Sequence, residues 1–188
     1  MHNVIIFAKI WLVIKMKLPE RKIIRLQNYD YSSSGAYFVT ICTQNHAQIL
    51  SNIVGEGSPL PQLTTHGKIT EKIILSVNQK YPTVTVDKFV IMPNHIHIIF
   101  SIKSDGRGDP SPTISNVVGW LKYNITKTIN QRLENEQTKI FQRSFYDHVI
   151  RDEEDYLTIW NYIDTNPHKW REDKILQIKN DRVCGHFF

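Results

Sequence analysis

Apolar and β-branched residues first gather in YFVTICT, Tyr37 to Thr43, which reads as a strand. Two glycines and two prolines between Gly55 and Pro61 predict a loop. Ile69, Ile73, Ile74 and Val77 then recur at helical spacing. They predict one helix ending near Lys80, stopped by Tyr81-Pro82. Two further strands, about Val84 to Met92 and His95 to Ile102, flank the turn residues Pro93-Asn94 and should form a hairpin. A loop carrying Gly106, Gly108, Pro110 and Pro112 follows. Ile114, Val117, Val118, Leu121, Ile125 and Ile129 then mark a long amphipathic helix to about Leu133. Phe145 to Ile150 reads as a fourth strand. The last helix spans about Glu153 to Thr165, with Asp152 as N-cap and acids in its first turn. Pro167 is expected to end it.

The order is strand, helix, strand, strand, helix, strand, helix. That is the split βαβ pattern of an α+β, ferredoxin-like (RRM-like) sandwich with a central antiparallel sheet and an added C-terminal helix. Such a fold hosts many functions, so the pattern alone assigns none. A chain of 188 residues suits one domain. The net charge of +5 makes nucleic acid a fair first expectation for a partner. Cys42 and Cys184 form no framework and suggest a reducing, cytoplasmic setting. The apolar run Val4 to Ile14 is short against the roughly 20 residues a bilayer requires. Lys15, Met16 and Lys17 follow it with no small-residue cleavage site, so it is not read as a secretion signal. It reads as an extension ahead of a start at Met16, or as a short surface-binding helix.

The chemistry gathers in two places. In MPNHIHIIF, strand alternation puts His95 and His97 on one face and Ile96, Ile98 and Phe100 on the other. Two adjacent imidazoles are either a metal-binding pair or a solvated face with two histidines. In the last helix, Tyr156, Trp160 and Ile163 should form the buried stripe, leaving Tyr162 off it. Asn166 lies one turn beyond Tyr162 on the same face. Its amide oxygen is a hard ligand suited to Mg²⁺ or Mn²⁺, or else the residue is a helix C-cap. Lys122, Lys127 and Arg132, with Arg143 and Arg151, would track phosphates or simply face solvent. His148, alternating with Tyr146, lines the site or does not; His168 caps the helix end or faces water. Cys184 and His186 are a weak hint of zinc.

Three segments in this order resemble the REP-associated tyrosine transposases of the single-tyrosine HUH superfamily, which are insertion-sequence 200-like transposases. They are YFVTICTQN, FVIMPNHIHIIF and FQRSFYDHVIRDEEDYLTIWNYIDTNPHKW, and the likeness covers roughly Lys17 to Lys174. It implies an N-terminal extension at 1–16, a transposase domain at 17–175 and a tail at 176–188. It implies His95 and His97 as metal ligands, Tyr162 as nucleophile and Asn166 as third ligand. The implied chemistry is Mg²⁺- or Mn²⁺-dependent cutting and rejoining of single-stranded or hairpin DNA through a 5′-phosphotyrosine. The implied partner is DNA of REP-like repeats, met in the cytoplasm at the nucleoid and not at a membrane, by a monomer or homodimer. Phe141 departs from the family, where many members carry Trp. Two other readings remain: a single-stranded RNA or DNA binding module without catalysis, and a metal phosphodiesterase that uses water.

Overall fold

The computed structural model describes residues 34–53, 61–103, 112–133 and 138–170. The calls made above on 1–16, the Gly55 loop, Gly106 to Pro110, Cys184 with His186, and the tail lie outside these residues. Strand β1 (Gly35–Cys42) carries the β-branched run predicted above. A short ribbon of β2 (Ser51–Asn52) and β3 (Gln62–Leu63) precedes helix α1 (Thr65–Leu75) and the single turn α2 (Val77–Lys80). Strands β4 (Val84–Ile91) and β5 (His95–Ile102) form the hairpin. Helix α3 (Ile114–Arg132), strand β6 (Tyr146–Ile150) and helix α4 (Glu153–Lys169) complete the order. The strands lie side by side as β4-β5-β1-β6, each pair antiparallel. This is the ferredoxin-like arrangement with one extra helix.

Each face of the sheet is covered. Ile96, Ile98, Phe100 and Ile102 from β5, with Tyr37, Val39 and Ile41 from β1, meet Ile69 and Ile74 of α1 and Val117, Leu121 and Ile125 of α3. The opposite face is a smaller cluster: Phe38, Val90, Met92, Ile99 and Ile150 against Ile159, Ile163 and Trp170. His95 and His97 therefore project toward α4, by the same alternation that aims Ile96 and Ile98 at α1 and α3. Capping threonines start the helices: Thr64 accepts from the Gly67 amide and Thr113 from that of Asn116. Gly67 has a packing reason, since a Cβ there would fall 2.0 Å from the Leu50 carbonyl oxygen. Among the described residues no helix is long and apolar enough to cross a membrane.

Four expectations change. The helix predicted to end near Lys80 is broken at Ser76, whose hydroxyl donates to the Ile73 carbonyl at 2.8 Å and so competes with helix continuation. The last helix continues through Pro167 to Lys169 instead of stopping before the proline. Burial of Pro167 and Trp170 offsets the lost backbone bond. The buried stripe of that helix is Ile159, Ile163 and Asn166, not Tyr156, Trp160 and Ile163; Tyr156 and Trp160 flank it, half-buried. Cys42 is disulfide-bonded, against the expectation of a reduced thiol there.

Candidate active site

The β1–β5 register sets Thr40 opposite His97 and Cys42 opposite His95. Both imidazoles are fully buried, which rejects the solvated-face reading. Each has its Nδ1 committed. The Asn94 side-chain oxygen, which only accepts, lies 2.7 Å from His95 Nδ1, so that nitrogen carries the proton. Thr40 Oγ1 lies 2.9 Å from His97 Nδ1. The ring faces are packed as well: Phe38 stacks on His97 at 5.3 Å and Trp170 tilts over His95 at 5.8 Å. The two imidazoles meet edge to face at 4.5 Å. Their Nε2 atoms are left for chemistry. His95 Nε2 is buried with no hydrogen-bond partner.

Helix α4 brings two groups to these nitrogens. The Tyr162 hydroxyl lies 3.4 Å from His97 Nε2, with the rings 5.2 Å apart. Its ring also meets Phe38 edge-on at 6.1 Å, and the residue stays half-buried and reachable. Asn166 is buried, and its Oδ1 has no partner. It is therefore not a helix cap. It lies near enough to His95 to influence that ring's protonation, though neither atom makes a well-formed hydrogen bond. Two orphaned polar atoms facing each other in a buried site are expensive unless something joins them.

Burial sets the charge state. Loss of solvation drives the His95 pKa from 6.5 to about 3, with the Asn166 side chain partly opposing and His46 adding to the fall. Burial, then the neighbouring His95, holds His97 well below 6.5. Both rings are neutral at pH 7, the form that ligates metal. The unfolded chain binds these protons below about pH 6.5 and the folded chain does not. Stability from these histidines is thus complete above pH 6.5 and is lost as pH falls toward the folded values. The slope limit is about 1.4 kcal/mol per pH unit for each ring. Urea unfolding in chelator should show a falling midpoint between pH 6.5 and 5, shallower in a His97→Gln chain. A flat profile would contradict the burial argument.

The orienting partners were not expected from sequence. Asn94 was assigned only to the turn, and Thr40 only to a strand. Removing either (Asn94→Ala or Thr40→Val) should weaken Mn²⁺ binding by about 10- to 100-fold, measured by calorimetry, with the fold intact. Trp170 was likewise passed over. The only signal for Asn94 was its place beside His95; pairing of Thr40 with His97 depends on strand register.

The other predicted residues scatter. Lys122 turns inward, donating to the Gln142, Arg143 and Ser144 carbonyls at 3.0, 3.3 and 2.8 Å, with burial lowering its pKa to about 8. It clamps the segment before β6 and is not an exposed cation. Lys127 is exposed, over the Tyr123 ring, and Arg132 is exposed at the end of α3. The sheet separates both from Tyr162. Arg143 and Arg151 are exposed on either side of β6. His148 sits on the α4 face but bonds Asp155 at 2.9 Å; His168 faces solvent. Phe141 is buried, bridging Thr43 in the α1–α3 core, so it offers no free ring for stacking. No group of three His, Cys, Asp or Glu able to hold a metal forms among the described residues; the donor set is two imidazoles and one carboxamide.

A four-stranded sheet with paired histidines, and a tyrosine helix laid over them, define the single-tyrosine HUH class. The family model described as "Transposase IS200 like" matches residues 36–166, and the chain belongs to that family. A Haemophilus influenzae protein of undescribed function is 33% identical over 174 residues, covering 84% of this chain and 94% of that protein. A second Haemophilus influenzae protein, provisionally named a REP-associated tyrosine transposase, is 28% identical over 156 residues, covering 77% of each. A solved structure of a REP-associated tyrosine transposase bound to a REP hairpin shares the fold. Its TM-score is 0.55 at 24% identity, covering 80% of this chain and 76% of that one.

Proposed function

We propose that this transposase cuts and rejoins single-stranded or hairpin DNA through a covalent 5′-phosphotyrosine at Tyr162. The observation that carries this reading is the convergence of the Tyr162 hydroxyl, two neutral buried imidazoles and the orphaned Asn166 oxygen in one pocket. A divalent cation fits the donors: His95 and His97 through Nε2, Asn166 through Oδ1. Hard and borderline donors of this kind suit Mg²⁺ or Mn²⁺. When bound, the ion supplies Lewis acidity toward a non-bridging phosphate oxygen.

The chain's own residues do the rest. Asn94 and Thr40 hold the imidazoles in the tautomer and orientation that expose Nε2. Phe38 and Trp170 exclude water from the rings. Tyr162 attacks phosphorus in line, forming the phosphotyrosine bond and breaking the bond to the 3′ oxygen. The phenol gives up one proton and the departing 3′ oxygen takes one, so protons balance. Attack by a second 3′ hydroxyl reverses the step and rejoins strands. Lys127, Arg132, Arg143 and Arg151 are exposed cations for backbone contact. The named relatives point to REP-like hairpins as substrate, and hence to the nucleoid in the cytoplasm. Tyr162 reaches the histidines of its own chain, so a monomer carries every group named.

The test is incubation of labelled hairpin single strands with the protein and Mn²⁺. A denaturation-resistant protein–DNA band is expected, lost on chelation. Cleavage without a covalent band would favour water as nucleophile; binding without cleavage would favour a binding module.

A further inference from the structure

The reach of Tyr162 depends on how α4 is rotated on the sheet. A shift of one residue turns a helical side chain by about 100°. The apolar grip of Ile159 and Ile163 on Phe38, Val90 and Ile99 is non-directional and does not by itself fix that rotation. Directional contacts come from an irregularity in β4. Its register with β5 shifts between Val86 and Lys88, leaving Asp87 outside the ladder. The Asp87 carboxylate accepts from the Thr85 hydroxyl at 3.0 Å, from the Ser101 hydroxyl, and from the Tyr156 phenol of α4 at 3.2 Å. The next residue, Lys88, pairs with Asp164 of α4 and lies 4.4 Å from the Trp160 ring centre. Trp160 in turn packs on Tyr156 at 5.9 Å.

Residues 156, 160 and 164 are spaced by four, so they form one line along α4, across the buried Ile159 and Ile163 stripe from Tyr162. Two consecutive residues of β4 grip that line on both sides of the tyrosine in sequence. We propose that Asp87 and Lys88 are positioning residues: a latch that fixes the rotation of α4 and thereby sets the Tyr162 hydroxyl against His97. The proposal rests on the phosphotyrosine reading for its effect on rate, but the latch itself is a property of the fold. Asp164 is exposed and Lys88 only partly covered, and ion pairs in such places add little stability. A bulge also interrupts the ladder. The arrangement therefore makes more sense as orientation than as stabilisation.

The experiment combines two readouts on Asp87→Asn, Lys88→Met, Lys88→Asp and the charge-swapped pair Lys88→Asp with Asp164→Lys. The first is single-turnover adduct formation on hairpin DNA at saturating Mn²⁺. The single variants should slow it by about tenfold or more, while DNA affinity stays within about twofold. The charge swap should recover most of the rate lost in Lys88→Asp alone. The second is amide hydrogen exchange without DNA or metal. Exchange should rise in α4 around Tyr162 and stay unchanged in β1 and β5. Adduct rates within about twofold of the parent, or a swap that recovers nothing, would overturn the proposal. If the parent forms no adduct at all, the phosphotyrosine reading fails, and hydrogen exchange alone decides the latch: faster exchange in α4 upholds it, unchanged exchange overturns it.

Discussion

Replacing Tyr162 by Phe should lower strand cleavage by at least about a thousandfold and remove the covalent adduct entirely. The phenylalanine keeps the ring against His97 and Phe38, so packing barely changes. What goes is one hydroxyl, which makes a long 3.4 Å contact to His97 Nε2. Loss of such a contact costs about 1 kcal/mol or less in stability. DNA affinity and melting temperature should therefore hold while chemistry disappears. Gel analysis of the adduct beside a binding titration separates the two. Cleavage continuing near the parent rate would mean that the phenol is a packing residue.

Removing an imidazole should act earlier, at metal binding. A His97→Ala chain is expected to lose more than about 100-fold in Mn²⁺ affinity, beyond the effect of losing an orienting partner. The reason is donor count. Among the described residues the site offers two imidazoles and one carboxamide, and no nearby carboxylate is placed to substitute. Adduct formation should fall with the bound metal and should not recover when more DNA is added. In the parent, affinity should stay nearly level from pH 8 to pH 5. Burial lowers the proton affinity of both rings, His95 to a pKa of about 3 and His97 well below 6.5, so protons compete weakly for Nε2. Calorimetric titration with Mn²⁺ at several pH values reads this directly. A steep loss near pH 6.5 would show that the imidazoles titrate as if solvated.

Much of the scaffold was legible because periodicity is local. Alternation in His95 to Phe100 correctly put both histidines on one face, and helical spacing correctly put Asn166 with Tyr162. What escaped depends on long-range contact. That His97 meets Thr40 follows from strand register, which a lone sequence does not print. The two-sided burial of β5 replaced the solvated alternative with buried imidazoles, because α4 covers the second face. Proline chemistry predicted a stop at Pro167, but the buried Trp170 beyond it favours one more turn. Lys122 looked like a free cation by helical position and proved to be a clamp, since its carbonyl partners lie some twenty residues away. The bulge at Asp87 has no local sequence mark such as glycine.

The central claim is that Tyr162 becomes covalently bonded to DNA. Its most direct measurement is mass-spectrometric mapping of the protein–DNA adduct after protease and nuclease digestion. The account predicts a phosphonucleotide on the peptide containing Tyr162, joined through the 5′ phosphate, with a free 3′ hydroxyl on the released strand. A modification on any other residue, or a 3′-phosphate linkage at Tyr162, would contradict it.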